Sequence, residues 1–375
     1  MRFALALLVV AAVAGRAAAY PQFQLSKDQT CSGCHISPAG GGLLNEQGLN
    51  TAAALAQFGT APEFMYDKIK LPDWLMLGGD FRGAYGFLQA PQRYIVGFPM
   101  QADIYASAVW NAFRVYVTGG YQPAVYNNGA ATFRPPWSRE HYVMWQSKPG
   151  ESEGIFIRAG RFMPVFGLRN AEHDDYTRRF GGTQLYGETY GIAGEYITAQ
   201  YEGHLTGFVA DPLIDTVEHS SGVAAYGEYR LDSATSVGVE GMFSRSTDDR
   251  KIRGGLTAKR YFAGPKVLLQ GEGQIVDLLV PHGNTDGTTT YTYQLVGYLR
   301  GSWFPSDQFM VDGGLGYYNE DLRLHGPYRN AFDLAVHWFT SSHFESVLVA
   351  RKELIGLSEK DATGSYVLLM GHYRL

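Results

Sequence analysis

Residues 291–303 read YTYQLVGYLRGSW. In an extended chain, successive side chains point to opposite sides. Tyr291, Tyr293, Leu295, Gly297, Leu299, Gly301 and Trp303 therefore share one face, and Thr292, Gln294, Tyr298, Arg300 and Ser302 share the other. The first face is aromatic and aliphatic along its whole length. The second carries hydroxyl, amide and guanidinium groups. A half-buried strand of a soluble sheet gives such alternation over a few residues. A run this long, with aromatics at both ends, matches a wall with hydrocarbon outside and a polar lumen inside.

The pattern recurs. Leu75, Leu77, Gly79, Phe81, Gly83, Tyr85 and Phe87 alternate with Met76, Asp80, Arg82 and Ala84, and Val267, Leu269 and Ile275 contrast with Gln270, Glu272 and Gln274. Reading the chain this way predicts sixteen strands, at 74–88, 99–109, 112–123, 139–147, 154–162, 188–197, 199–209, 222–231, 234–245, 252–262, 265–277, 289–303, 308–318, 328–339, 343–353 and 364–375. Their connections alternate between short and long, as in single-chain bacterial barrels with short turns on the periplasmic side. Aromatic residues expected at the two interfaces are Trp110, Phe113, Tyr261, Phe262, Trp303, Phe304, Trp338 and Phe339. Of 375 residues, 46 are glycine and only 2 cysteine, with 45% hydrophobic and 18% charged. That apolar share is too low for a bundle of membrane helices and too high for a disordered chain. A net charge of -5 excludes a nucleic-acid binder that relies on a basic surface. A soluble sandwich seldom holds sixteen strands, and no blade-length repeat suggests a propeller. The predicted class is all-β: a sixteen-stranded transmembrane β-barrel over 73–375, behind a small, partly helical domain at 20–72.

The start of the chain has a different character. Arg2, the apolar run Phe3 to Ala14 and the small residues Ala17, Ala18 and Ala19 read as a cleaved export signal over 1–19. Both cysteines then fall in Cys31-Ser32-Gly33-Cys34-His35. C-x-x-C-H is the attachment pattern of a c-type haem: two thiols add to the porphyrin vinyl groups and the following histidine is the proximal iron ligand. A thioredoxin-like pair would sit in a βαβ context, and a zinc site would have a second ligand pair nearby; the sequence offers neither. One haem c, with Cys31 and Cys34 as attachment points and His35 on the iron, is the expected cofactor. Met65 is the candidate distal ligand within this segment. A helix is expected from about Leu43 to Phe58, ended by Gly59. A segment this short buries little by itself, so the haem is expected to supply much of its core.

The longest connection, Met163 to Glu188, holds Arg169, Glu172, His173, Asp174, Asp175, Arg178 and Arg179. It is expected to fold inward, and His173, Asp174 and Asp175 are candidate ligands for a divalent iron ion, since imidazole and carboxylate suit it. His204, His337 and His372 fall on the polar side of their strands. His337 and His372, near the short-turn ends, are the better placed to meet a haem.

With signal, one haem motif and sixteen strands together, the chain resembles the fused cytochrome–porin proteins of bacterial outer membranes, which include outer-membrane iron oxidases. Pro21, Phe23, Cys31, Cys34, His35, Leu44, Asn45 and Gly48 carry the resemblance. Ser37-Pro38-Ala39-Gly40-Gly41-Gly42 is richer in glycine than the iron-oxidising members. The resemblance implies a haem domain held in the barrel or on its periplasmic side. It also implies electron transfer between an extracellular partner, Fe(II) first among them, and a periplasmic carrier such as a soluble c-type cytochrome. The alternative from the same parts is a solute porin with a haem-containing structural or regulatory plug. A soluble haem sensor would use neither the aromatic girdles nor the loop rhythm.

Overall fold

The computed structural model describes residues 20–89, 92–121, 125–127, 130–132, 137–182, 184, 187–211, 220–281, 288–324, 328–356 and 362–375. The expected export signal, 1–19, lies outside them. Sixteen strands form one closed antiparallel barrel. They are β1 Leu75–Gln89, β2 Arg93–Trp110, β3 Phe113–Tyr121, β4 Trp137–Gln146, β5 Gly154–Phe162, β6 Thr189–Ile197, β7 Tyr201–Val209 and β8 Ser221–Asp232, followed by β9 Thr235–Arg245, β10 Arg250–Phe262, β11 Val267–Val280, β12 Thr290–Ser306, β13 Phe309–Asn319, β14 Tyr328–Ser341, β15 Phe344–Ile355 and β16 Ala362–Arg374. Each strand pairs with its sequence neighbours, and β1 closes on β16 from Asp80 opposite Arg374 to Gln89 opposite Ser365. Closure leaves no unpaired edge, which removes the sandwich and propeller alternatives. No helix among the described residues is long and apolar enough to cross a membrane.

All sixteen expected strands are present, with two differences. β2 starts at Arg93, six residues before the expected 99, so the first connection is short. Pro99 reads as a strand breaker, but it sits beside a register shift where Arg82 faces Gln101 and Gly83 faces Pro99. A bulge is where a sheet tolerates proline. The connection expected at 124–138 also holds an unanticipated two-stranded hairpin, Val125–Asn127 against Ala130–Thr132.

The alternation decides which side of the wall each residue faces. On β12, Tyr291, Tyr293, Leu299 and Trp303 are exposed on the exterior, whereas Gln294, Tyr298, Arg300 and Ser302 are buried. On β11, Leu269 and Ile275 are outside and Gln270, Glu272 and Gln274 inside. The apolar exterior is that of a membrane-spanning barrel. The polar interior is matched internally, for example Arg158 to Glu195 at 2.5 Å and Arg161 to Asp211 at 2.9 Å. Trp110, Phe113, Phe262 and Trp303 face outward as expected of a girdle. Phe304 and Phe339 do not: both are buried on the inner side.

What they pack against is the N-terminal segment. It contains α1 Gln22–Ser26, α2 Cys31–Cys34, α3 Glu46–Leu55 and a 3-10 turn at Phe64–Asp67. The expected helix at 43–58 is confined to α3, because Asn45 caps its start and Ala56 is already extended. The segment lies in the mouth of the barrel that carries the short turns. Ser32 Oγ donates to the Ser152 carbonyl at 2.7 Å, Lys27 pairs with Asp307 at 3.2 Å, and Gln57 N donates to the Phe339 carbonyl at 2.9 Å. Leu25 and Leu55 pack with Leu268, Phe304, Met310 and Phe339; Leu43 packs with Tyr105, Tyr116 and Tyr142. The barrel wall thus gives this short segment apolar partners that its own length cannot.

Candidate functional site

The C-x-x-C-H sequence forms a single helical turn. Thr30 caps it, its side-chain oxygen accepting from Gly33 N at 3.1 Å, and His35 N donates to the Cys31 carbonyl at 2.9 Å. The turn is then clamped from the other side. His35 and Leu44 form an antiparallel bridge, Ile36 N donates to Leu43 O at 3.0 Å, and Asn45 N donates to Cys34 O at 2.9 Å. Asn45 Nδ2 also donates to Ser32 O at 3.0 Å, while its Oδ1 accepts from Gly48 N at 2.9 Å. Leu44, Asn45 and Gly48 are therefore scaffolding for the motif, and Gly40, Gly41 and Gly42, all at positive φ, make the reversal that brings them back to it.

Cys31, Cys34 and His35 open onto one shared cavity. Phe23, Leu44, Leu55 and Phe339 give it apolar walls, and the barrel adds Asp80, Arg82, Glu345, His372 and Arg374. Burial pushes the Cys31 thiol up to about 11 and raises that of Cys34. Burial, with Arg374 nearby, brings the His35 imidazole down to about 4, so it is neutral near pH 7. Nδ1 of His35 and Nε and Nη2 of Arg82 are buried without a hydrogen-bond partner. Met65 lies on the 3-10 turn at positive φ and is not among the residues lining this cavity. Of the three inward-facing strand histidines, His372 lines it. Its Nε2 meets Asp80 at 2.6 Å and its Nδ1 meets Glu345 at 3.4 Å. His204 stands elsewhere on the wall, held by Glu202 and Glu195.

The long connection is folded into the lumen over residues 163–182, as expected. Val165, Phe166 and Leu168 are buried, and α4, Tyr176–Arg179, lies against β11, β12 and β13. Its charges are spent on the wall: Arg169 on Glu202 at 2.6 Å, Asp174 on Arg351 at 3.5 Å and on the Tyr366 hydroxyl, Asp175 on Arg300 at 3.2 Å and Asn170 at 2.9 Å. The neighbours His173, Asp174 and Asp175 are thus not drawn into one ligand set, since Asp174 and Asp175 turn to different arginines. Glu172 and His173 line a second cavity, which shares Tyr20, Arg82, Glu345 and His372 with the first. Sequence reading placed Asp80 and Arg82 on a polar face but gave no signal that they, with Glu345 and Arg374, surround the motif. That depends on barrel closure, which brings β1, β15 and β16 together.

No family model matches the chain, and no curated protein does. Its likeness is to solved barrels. OmpT of Vibrio cholerae matches with a TM-score of 0.61 at 11% identity, covering 82% of this chain and 100% of that one. OmpF of Salmonella typhi, solved in complex with daunomycin, matches with a TM-score of 0.59 at 11% identity, over 80% and 97%. OprB of Pseudomonas putida matches with 0.58 at 9% identity, over 80% and 94%. At such identities the likeness is one of fold.

Proposed function

We propose that this chain is a bacterial outer-membrane cytochrome–porin. It carries one covalent haem c in the periplasmic mouth of the barrel and moves electrons between the outside and a periplasmic carrier, such as a soluble c-type cytochrome, with Fe(II) as the leading external donor. The observation that carries this reading is the position of Cys31, Cys34 and His35 on one large cavity, walled on the far side by the lumen of a membrane barrel. The donor set fits the group. Two thiols and a neutral imidazole stand on one turn, and Arg82 presents buried, unpaired guanidinium nitrogens suited to receiving propionate carboxylates. When bound, a haem supplies one-electron redox chemistry. Cys31 and Cys34 would anchor the group and His35 would hold the iron, and Phe23, Leu55 and Phe339 would exclude water from the same space. Tyr20, Arg82, Glu345 and His372 line both this cavity and the one under the inward-folded loop, so the two spaces adjoin.

The test is reduction of the purified protein by Fe(II) from the outer side. Denaturing gels of protein made with a working haem-attachment system should keep peroxidase-type haem staining, lost in Cys31→Ala and Cys34→Ala. His35→Ala should leave the barrel inserted but abolish reduction by external donors. The porin-like fold favours a second reading, a solute pore whose haem segment is a plug. Planar-bilayer conductance separates the two. The conduit reading expects little current, because residues 20–72 and 163–182 occupy the lumen. An open pore in a protein that exchanges electrons with neither side establishes the plug reading instead.

A further inference from the structure

Beside the second cavity, which Glu172 and His337 line, three potential metal ligands come together, and Gln22 Nε2 donates to Asp312 Oδ2, one of their oxygens, at 3.2 Å. Glu172 comes from the inward loop, Asp312 from β13 and His337 from β14. One ligand atom from each lies within 4.8 Å of the others, the one such grouping among the described residues. Proximity of acids alone would carry nothing, but the hydrogen bonding here is incomplete in a specific way. Asp312 is 4% exposed, and its Oδ1 has no partner. His337 is 2% exposed; its Nε2 makes no hydrogen bond and stands 3.5 Å from Asp312 Oδ2. Its other ring nitrogen, Nδ1, meets Glu345 Oε1 at 2.9 Å. That is the outer carboxylate that fixes the ring and aims the free nitrogen in histidine metal sites. Several other lumen carboxylates are matched by Arg or Lys at 2.5–2.9 Å, as in Arg158–Glu195, Lys259–Glu228 and Arg351–Asp333.

We propose that Glu172, Asp312 and His337 bind a divalent first-row metal ion of the Fe(II) or Mn(II) class. Bonds of about 2.1 Å put neighbouring ligands roughly 3 Å apart and opposite ones about 4.2 Å apart, so the present spacing closes with a small shift of the loop-borne Glu172. One imidazole with two carboxylates suits Fe(II), Mn(II) and Zn(II); the absence of sulfur from the set disfavours Cu(I). Arg300 supplies the balancing charge. Its Nη1 donates to Glu172 Oε2 at 2.7 Å and stands 4.0 Å from Asp312 Oδ2, leaving the second Glu172 oxygen for a metal. Tyr20 touches both cavities. Its ring meets that of His337 edge-on at 5.4 Å, and it lines the space in front of Cys31 and His35. A metal bound here would be one aromatic ring from the candidate haem cavity. The site's role as the seat of the iron donor rests on the electron-transfer reading; its capacity to bind metal does not.

The experiment is a titration of the full-length protein in detergent with Mn(II), the free ion being counted by its electron paramagnetic resonance signal. Wild type should take up one equivalent. Glu172→Gln and Asp312→Asn should each weaken binding tenfold or more, and Glu345→Gln less, because it positions rather than ligates. Folding of each variant is read from its heat-modifiable gel mobility. Glu172 lies in a loop, so its variant keeps the test valid if a strand substitution disturbs the barrel. Absence of binding to folded wild type, or equal binding by Glu172→Gln, overturns the proposal. The same titration on Cys31→Ala/Cys34→Ala protein separates the two claims. Metal uptake there should persist, whereas failure of the haem reading would appear as absent haem staining in wild type with uptake unchanged.

Discussion

Gly48→Ala sets two known effects against each other. Gly48 is in the first turn of α3, where alanine is favoured over glycine by about 1 kcal/mol on helix propensity alone. Its environment argues the other way. A Cβ on Gly48 would overlap the Cys34 carbonyl oxygen and come to 3.0 Å from the Cys34 carbonyl carbon and 3.1 Å from Leu44 Cβ. No flexible side chain can yield, because the obstacle is backbone tied down by the Asn45 bonds to Cys34 O and Ser32 O. Overpacking costs roughly 1–3 kcal/mol; overlap with fixed backbone puts this case in the upper part of that range, roughly 2–3 kcal/mol, and the propensity gain of about 1 kcal/mol leaves a net loss of about 1–2 kcal/mol. The loss is local to residues 20–72, since no barrel strand contributes to the clash. A change of that size shifts an opening equilibrium by a factor of about 5–30. The assay is limited proteolysis of the folded protein in micelles, following cleavage within 20–72 while the heat-modifiable barrel band reports the rest. Cleavage of Gly48→Ala should be faster by that factor, with an unchanged barrel and a lower yield of haem-stained protein. Protection equal to wild type, or better, would refute the packing argument and leave propensity in command.

Arg158→Met should lower the temperature at which the barrel loses its heat-modifiable mobility. It leaves the buried Glu195 with only His204 at 3.5 Å, and breaking a buried pair on one side costs about 3–5 kcal/mol; adding Glu195→Gln should recover part of that loss. Lys259→Met should speed proteolysis within 20–30 without altering barrel mobility by more than the loss of Glu228's partner explains, because Lys259 Nζ donates both to Gln24 Oε1 and to Glu228 Oε2 at 2.6 Å. An epitope inserted at Asp248 should be reached by antibody on intact cells and one at Ser233 should not, since the two lie in turns at opposite ends of β9; the reverse labelling would invert the barrel.

The fold was legible because a barrel wall is written locally. Each strand carries its own two-residue alternation, so β12 could be assigned from thirteen residues without knowing its neighbours. The errors mark where that locality fails. The second strand was expected to begin only at Pro99, whereas it begins at Arg93, because tolerance of the proline within it depends on a bulge set by the partner strand. Phe304 and Phe339 were read as girdle because aromatics at strand ends look alike from either side of the wall; only the plug shows that these two face inward. The covalent motif was likewise local, five consecutive residues that state their chemistry by spacing. The rest of the site was not. Glu172 lies well over a hundred residues before Asp312 and His337, which stand on neighbouring strands, and the three meet because the long loop returns through the lumen to β13 and β14. Sequence placed the candidate iron ligands one after another, at His173, Asp174 and Asp175, where adjacency is easy to see. Adjacent residues in an irregular loop point in different directions, and here the arginines of the wall sort them: Arg351 takes Asp174 and Arg300 takes Asp175. What remains open to a metal is the carboxylate that shares a single arginine and two strand residues that each keep one polar atom without a partner. A motif search favours neighbours along the chain, whereas a lumen selects for groups left over after its charges have paired.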